Sequence, residues 1–177
     1  MSEIIRRSFV NNAFDGALTM LGVLLGGYIT DISDPTHVIK LGLATAIAVG
    51  VSGLTGALFA EKAERKLQLK DMEEALHRKL DNTEFKDAHD KASILIALVD
   101  GLSPLAAALV ILIPFFFIAG GDVTLAYQAS MVVALAVFFI IGAFLGKVSK
   151  DSMLFTGVKL VLAGLLCMVL IFLLEGV

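Results

Sequence analysis

Five long apolar runs, separated by short polar connections and one longer charged segment, set the pattern of this chain. Each run is close to the roughly 20 residues that an α helix needs to cross the ~30 Å hydrocarbon core of a bilayer. The pattern therefore predicts an all-α integral membrane protein with five transmembrane helices, in one domain that includes residues 1–177. The runs are 9–29, 38–60, 92–119, 124–145 and 153–174, and the charged segment is 61–91.

The composition excludes a water-soluble globular domain. Apolar residues make up 58% of the chain and the mean hydropathy is +0.89, whereas soluble domains contain about 45–50% apolar residues. The first run follows basic residues, as in a signal peptide, but it contains Asn11, Asn12 and Asp15 and lacks a clear cleavage site. We therefore expect it to be the first helix of the mature protein. The single cysteine, Cys167, predicts neither a disulfide nor a cysteine metal site.

The distribution of basic residues predicts the orientation of the helices. All Lys and Arg residues except Lys40 lie near one set of helix ends, namely the N-terminus, the charged segment and the turn at 147–152, or just inside the fifth run at Lys159. The positive-inside rule places these ends in the cytoplasm. Five crossings then put the C-terminus outside.

The charged segment has the composition and periodicity of a helix. Leu69, Met72, Leu76 and Leu80 recur at intervals of three or four residues and form one apolar stripe. The stripe breaks at residues 81–84, which resemble a helix-capping box. We predict a cytoplasmic helical hairpin at 61–91 that continues the second and third membrane helices.

Asp15 is the leading candidate for a functional residue, because an ionisable group within a membrane helix costs about 3 kcal/mol on insertion scales. Asn11, Asp15 and Thr19 are four residues apart and share one helix face. This face suits a hydrated path for a cation. The alternative is that Asp15 is solvated at the cytoplasmic end or is paired with Lys159.

A second Asp–Gly pair, Asp100–Gly101, occupies a place in the third run like that of Asp15–Gly16 in the first. The similarity indicates either an internal repeat, as in many transporters, or chance similarity between two apolar helices. Pro104 either frees backbone carbonyls that contact an ion or lies in the first turn of its helix. Lys159 either extends back to the interface or pairs with Asp15 or Asp100.

One face of the second run carries small residues at four-residue spacing. This stripe allows another helix to approach closely, and a permeation path is the alternative. Its members are Ala44, Ala48, Ser52, Gly56 and Ala60.

Acidic and histidine side chains recur at three-residue intervals in the charged segment. Glu74 and His77 have the Glu-x-x-His spacing of helical di-iron sites, and such ligands suit Fe(II), Mn(II) or Zn(II). A solvated, salt-bridged helix face is the alternative. The sequence has no nucleotide-binding loop, Ser/His/Asp arrangement or zinc-binding cysteine set, which argues against an enzyme. The candidate metal ligands here are Glu61, Glu64, Asp71, Glu74 and His77.

Several motifs resemble those of the vacuolar iron transporter family. They are Asp15–Gly16, the run from Gly56 to Arg65, and the glycine-rich segments 142–147 and 157–164. Their order and spacing extend the resemblance over most of the chain, including the five helices and the single cytoplasmic insertion.

The resemblance implies a homodimer that exports Fe²⁺ or Mn²⁺ from the cytosol, in exchange for protons, across a prokaryotic cell membrane. It implies lipid and divalent ions as partners, no nucleic acid and no tightly bound cofactor. The family's pore aspartate corresponds to Asp15, and its cytoplasmic metal-binding glutamates correspond loosely to Glu61, Glu64, Asp71 and Glu74. The predicted transport path is Asn11, Asp15, Thr19, Met20, Ser52 and Asp100.

The chain departs from the family pattern at a few positions. Ser52–Gly53 replaces a common Ser–Met pair, and Met20 is the candidate substitute for that soft ligand. Lys159 stands at a position that is often Glu. Two other functions fit parts of the sequence: a membrane adaptor whose hairpin binds a cytoplasmic partner, and a membrane hydrolase that uses Asp15 and Asp100 as a pair.

Overall fold

The predicted helices are present in the computed structural model of the chain, which describes residues 2–77, 84–118 and 122–173. Within these ranges the chain forms five α helices and no β strand, and each helix is long and apolar enough to cross a bilayer. The number and type of the predicted membrane helices are thereby confirmed. They are α1 (Ser2–Ile29), α2 (Pro35–Leu76), α3 (Glu84–Phe117), α4 (Val123–Ser149) and α5 (Met153–Phe172).

Helix α2 is much longer than a membrane span. Its 42 residues extend about 63 Å at ~1.5 Å per residue, roughly twice the hydrocarbon thickness of a bilayer. The membrane part and the first half of the charged segment therefore form one continuous helix. The predicted turn of the hairpin, with the first three residues of the capping box predicted at 81–84, lies at 78–83, outside the described residues.

Polar side chains begin three of the helices. Asp34 accepts a hydrogen bond of 2.8 Å from the Thr36 backbone N–H at the start of α2, and this bond lowers the pKa of its carboxyl. Asp122 accepts from the Thr124 backbone N–H at 2.9 Å at the start of α4, and Ser152 caps α5. These caps satisfy N–H groups that have no partner within the helix.

The core of the bundle surrounds α1, which packs against all four other helices. Ala17, Leu21 and Leu24 recur every three or four residues on α1 and are fully buried. They belong to the same hydrophobic core as Ile111 of α3 and Phe138 of α4. Helices α2 and α5 lie at the periphery of the bundle. Only 11% of the residues in the apolar 18-residue stretch of each are buried, against 44% in α1 and α3.

Glycines set the closest helix crossings. A Cβ atom added to Gly16 of α1 would overlap the backbone of Pro104 in α3, and one added to Gly53 of α2 would overlap the Asp100 carbonyl. At Gly142 of α4 the added atom would lie 2.7 Å from Gly157 Cα in α5. The glycines of both Asp–Gly pairs and of the glycine-rich segments therefore allow close packing.

The crossing of α1 and α3 predicts a contrast between two glycine substitutions. Gly16→Ala should destabilise the protein by ~1–3 kcal/mol, because the new methyl group meets backbone atoms that cannot rotate away. Gly26→Ala, in the same helix, should not destabilise the protein, because nothing lies within 4 Å of the added atom and Ala is the better helix former. Thermal unfolding of both variants in detergent measures the difference, and equal unfolding temperatures would contradict this packing.

Candidate functional site

A polar cleft lies between α1, α2 and α3, within the membrane-spanning part of the bundle. Its volume is about 440 Å³. Helix α1 contributes the carboxylate of Asp15, α2 contributes the hydroxyl of Ser52, and α3 contributes Pro104. The lining residues are Asn12, Asp15, Ala48, Val49, Ser52, Gly53 and Pro104.

Asp15 is an exposed carboxylate on the wall of this cleft. Among the residues that the structure describes, it makes no hydrogen bond or ion pair, so the alternative of a salt bridge to Lys159 is wrong. A bare carboxylate in hydrocarbon is costly and must instead face water, a cation or another protein surface. The cleft supplies room for water or an ion beside it.

Asn12 links α1 to α3 beside the cleft. Its Nδ2 donates to the Asp100 carboxylate, with an Nδ2–Oδ1 distance of 2.8 Å, and to the backbone carbonyl of Ser8, also at 2.8 Å. Asp100 is thus held by α1 and is not itself a lining residue of the cleft.

Pro104 lies well inside α3, so the alternative that it occupies the first turn of its helix is wrong. Since proline has no N–H, the backbone carbonyl of Asp100, four residues earlier, receives no helical hydrogen bond from it. That carbonyl lies against Gly53 of α2. The break in the hydrogen-bonding pattern and the crossing of α2 and α3 therefore occur at the same place.

The other predicted path residues are placed differently. Ser52 lines the cleft with Asp15, whereas Asn11 is exposed outside it and Thr19 is half-buried away from it. Met20 is fully buried in the core of the bundle. The reason is geometric: Met20 follows Asp15 by five residues, which turns it about 140° around the helix.

Lys159 of α5 does not reach either aspartate. Its Nζ lies 4.5 Å from the centre of the Phe155 ring, one turn earlier on the same helix. The side chain is therefore directed back along α5, as expected for a lysine that reaches toward the interface.

The acidic residues on the extended part of α2 have local partners. Glu61 pairs with Arg65 at 3.1 Å, Glu64 accepts a hydrogen bond from Gln68 at 3.2 Å, and Glu74 lies 3.8 Å from Lys70. Asp71 and His77 are exposed. In the described parts of this single chain, no three His, Cys, Asp or Glu side chains come together to hold a metal ion.

Sequence reasoning did not single out Asn12, which the structure places in the lining of the cleft, hydrogen-bonded to Asp100. Asn11 and Asn12 lie four and three residues before Asp15, so both flank it on neighbouring parts of the helix surface. The choice between them depends on where α3 packs, and Gly16 determines that. One sequence signal favours Asn12 over Asn11: Asn12 is four residues before Gly16 and therefore lies on the same face of α1 as that glycine.

Comparison with known proteins identifies relatives along most of the chain. The sequence profile of the VIT family matches residues 72–175, which is more than half of the chain and begins near the end of α2. An uncharacterized protein of Methanocaldococcus jannaschii is 31% identical over 172 residues, covering 96% of this chain and 87% of that protein. The second match includes α1 and the cleft, whereas the family profile does not reach Asp15.

Proposed function

This chain belongs to the VIT family of vacuolar iron transporters, and we propose that it exports Fe²⁺ or Mn²⁺ from the cytosol through the cleft between α1, α2 and α3. Membership of this family indicates metal-ion transport in general rather than enzymatic catalysis, and the five apolar helices indicate a multi-pass membrane protein. The cation, the direction and the residues of the path are the proposal.

The observation that carries the proposal is the Asp15 carboxylate on a polar cleft within membrane-spanning helices. It has no protein partner among the described residues, and its neighbours Asn12 and Ser52 offer further oxygen atoms. Oxygen ligands suit Mn²⁺ and Fe²⁺ as well as harder divalent ions. A single carboxylate with neutral oxygens attracts a divalent cation without neutralising it, which favours its release.

Exchange with protons follows from the chemistry of a carboxylate. A metal ion binds only the deprotonated form, so metal and proton compete for Asp15. A site that opens alternately to the two sides of the membrane would then carry a cation one way and protons the other. This supports an antiporter.

A homodimer would cover the open side of the cleft. The small-residue stripe of α2, including Ala48, Ser52 and Gly56, is exposed along the helix, and a Cβ added to Gly56 meets nothing within 4 Å. Ala48 and Ser52 also line the cleft. A second copy packed on this stripe would shield Asp15 from lipid and complete the walls of the path.

The cytoplasmic end of the path is proposed to lie at the extension of α2. The positive-inside rule places this extension in the cytoplasm, and Glu61, Glu64, Asp71, Glu74 and His77 lie along it. Because Glu61, Glu64 and Glu74 have local partners, we propose that these residues attract cations to the entrance, and that metal ligation there requires groups from two chains.

The first test is metal uptake by the purified protein in liposomes. Asp15→Asn should reduce the initial rate of Mn²⁺ uptake by at least ~10-fold, because Asp15 is the one carboxylate among the described residues that line the cleft, and loss of supporting residues alone costs ~10–100-fold at metal sites. Uptake should be accompanied by proton movement in the opposite direction, followed with a pH-sensitive dye.

Two further variants complete this test. Asp122→Asn makes the same chemical change at the exposed N-cap of α4. Since Asn is as good an N-cap residue as Asp, uptake should stay at the parental rate. Glu64→Gln combined with Glu74→Gln should raise the KM and leave the maximal rate unchanged. Equal uptake by the parent and Asp15→Asn would refute the path, and no uptake by the parent would favour an adaptor.

The proposed dimer predicts the effect of a bulky residue on the stripe. Gly56→Leu should convert a dimer to a monomer. The space beside Gly56 is empty within one chain, and the new side chain would fill the space that the second chain occupies in the proposed dimer. Ala163→Leu, a similar change on the exposed surface of α5, should leave the dimer intact. Light scattering of the detergent-solubilised proteins measures their mass, and a dimeric Gly56→Leu variant would argue against this interface.

A further inference from the structure

The hydrogen bonds of Asn12 fix the orientation of its side-chain amide. A backbone carbonyl can only accept a hydrogen bond, so the Asn12 atom 2.8 Å from the Ser8 carbonyl must be the amide nitrogen. The same nitrogen lies 2.8 Å from Oδ1 of Asp100. Both amide hydrogens are thereby used, on acceptors from α1 and α3.

The fixed amide leaves its oxygen for the cleft. Asn12 lines the cleft together with Asp15 and Ser52, and both of its hydrogen bonds are donated by Nδ2. Its Oδ1 is therefore the amide atom that can contact a cation there. Amide oxygens are ordinary ligands for hard divalent cations.

We propose that Asn12 Oδ1 is a neutral ligand of the transported divalent cation and that Asp100 is the positioning residue that holds it in place. This inference rests on the proposed transport through the cleft. Asp100 is not a lining residue, and its role is to accept the hydrogen bond that prevents the amide from turning. A hydrogen-bonded partner of this kind orients a metal ligand.

The arrangement assigns different roles to the two aspartates of the Asp–Gly pairs. Asp15 supplies the negative charge in the cleft, while Asp100 acts from α3 through Asn12. The cation then meets one carboxylate, one amide oxygen and the Ser52 hydroxyl. No sulfur atom is among the described residues that line the cleft, and Met20 is buried in the core. The substrate class is a divalent cation that accepts oxygen ligands.

The test is a double-mutant cycle read as the KM for Mn²⁺ uptake into liposomes. Asn12→Ala and Asp100→Ala should each raise the KM by ~10-fold or more, the usual cost of losing a supporting residue at a metal site. The double variant should be no worse than Asn12→Ala, because Asp100 acts through Asn12. Asp100→Asn should keep a KM close to the parental value, since its amide oxygen still accepts the hydrogen bond.

The pattern separates positioning from general packing. If Asp100→Ala does not reconstitute, Asp100→Asn and Asn12→Ala still give the answer: a near-parental KM for the first and a raised KM for the second support the inference. Additive effects in the cycle, or a KM for Asp100→Asn as high as that of Asn12→Ala, would overturn it.

The outcomes also separate this inference from the proposed function. Uptake by the parent that depends on Asp15 but not on Asn12 overturns the inference alone. If the parent takes up neither Mn²⁺ nor Fe²⁺, the proposed function fails, and the inference fails with it.

Discussion

The cost of a charged carboxylate inside a membrane is the constraint on which the rest of this structure depends. Asp15 has no ion-pair or hydrogen-bond partner among the described residues, so its surroundings must supply water, a cation or a second protein surface. The cleft between α1, α2 and α3 supplies the first two, and the exposed small-residue stripe of α2 beside it suits the third. A bundle that served only as an anchor would have no need of this charge, and its position favours transport over the adaptor alternative.

Close packing at glycines builds the cleft. Gly16 allows α1 to lie on the backbone of α3 at Pro104, and Gly53 allows α2 to lie on the Asp100 carbonyl. The first of these crossings brings Asn12 of α1 within hydrogen-bond distance of Asp100 of α3, 88 positions away along the chain. Each Asp–Gly pair places a carboxylate next to a glycine at a close helix crossing, since a Cβ added to Gly101 would also overlap α2, at the Gly50 carbonyl. This gives the similarity of the two motifs a physical reason whether or not they arose by duplication.

The helices could be predicted from the sequence because bilayer thickness fixes the length of an apolar run. Asp15 could be identified as a candidate site residue because it is a single charge within an apolar run. The link from Asn12 to Asp100 could not, because Asn11 and Asn12 flank Asp15 almost equally and only the packing of α3 distinguishes them. Helical geometry alone was sufficient to exclude Met20 from the face of Asp15. The position of Pro104 was ambiguous because the charged segment hides where α3 begins. The local partners of Glu61, Glu64 and Glu74 match the alternative of a salt-bridged helix face, because each partner lies four residues away on the same helix.

A crystal structure of the protein soaked in Mn²⁺, with the metal located by its anomalous scattering, tests the central claim most directly. If the cleft is the transport path, we expect an anomalous peak in it, within bonding distance of the Asp15 carboxylate and Asn12 Oδ1. A peak confined to the extension of α2, with the cleft empty in a protein that still transports Mn²⁺, would contradict it.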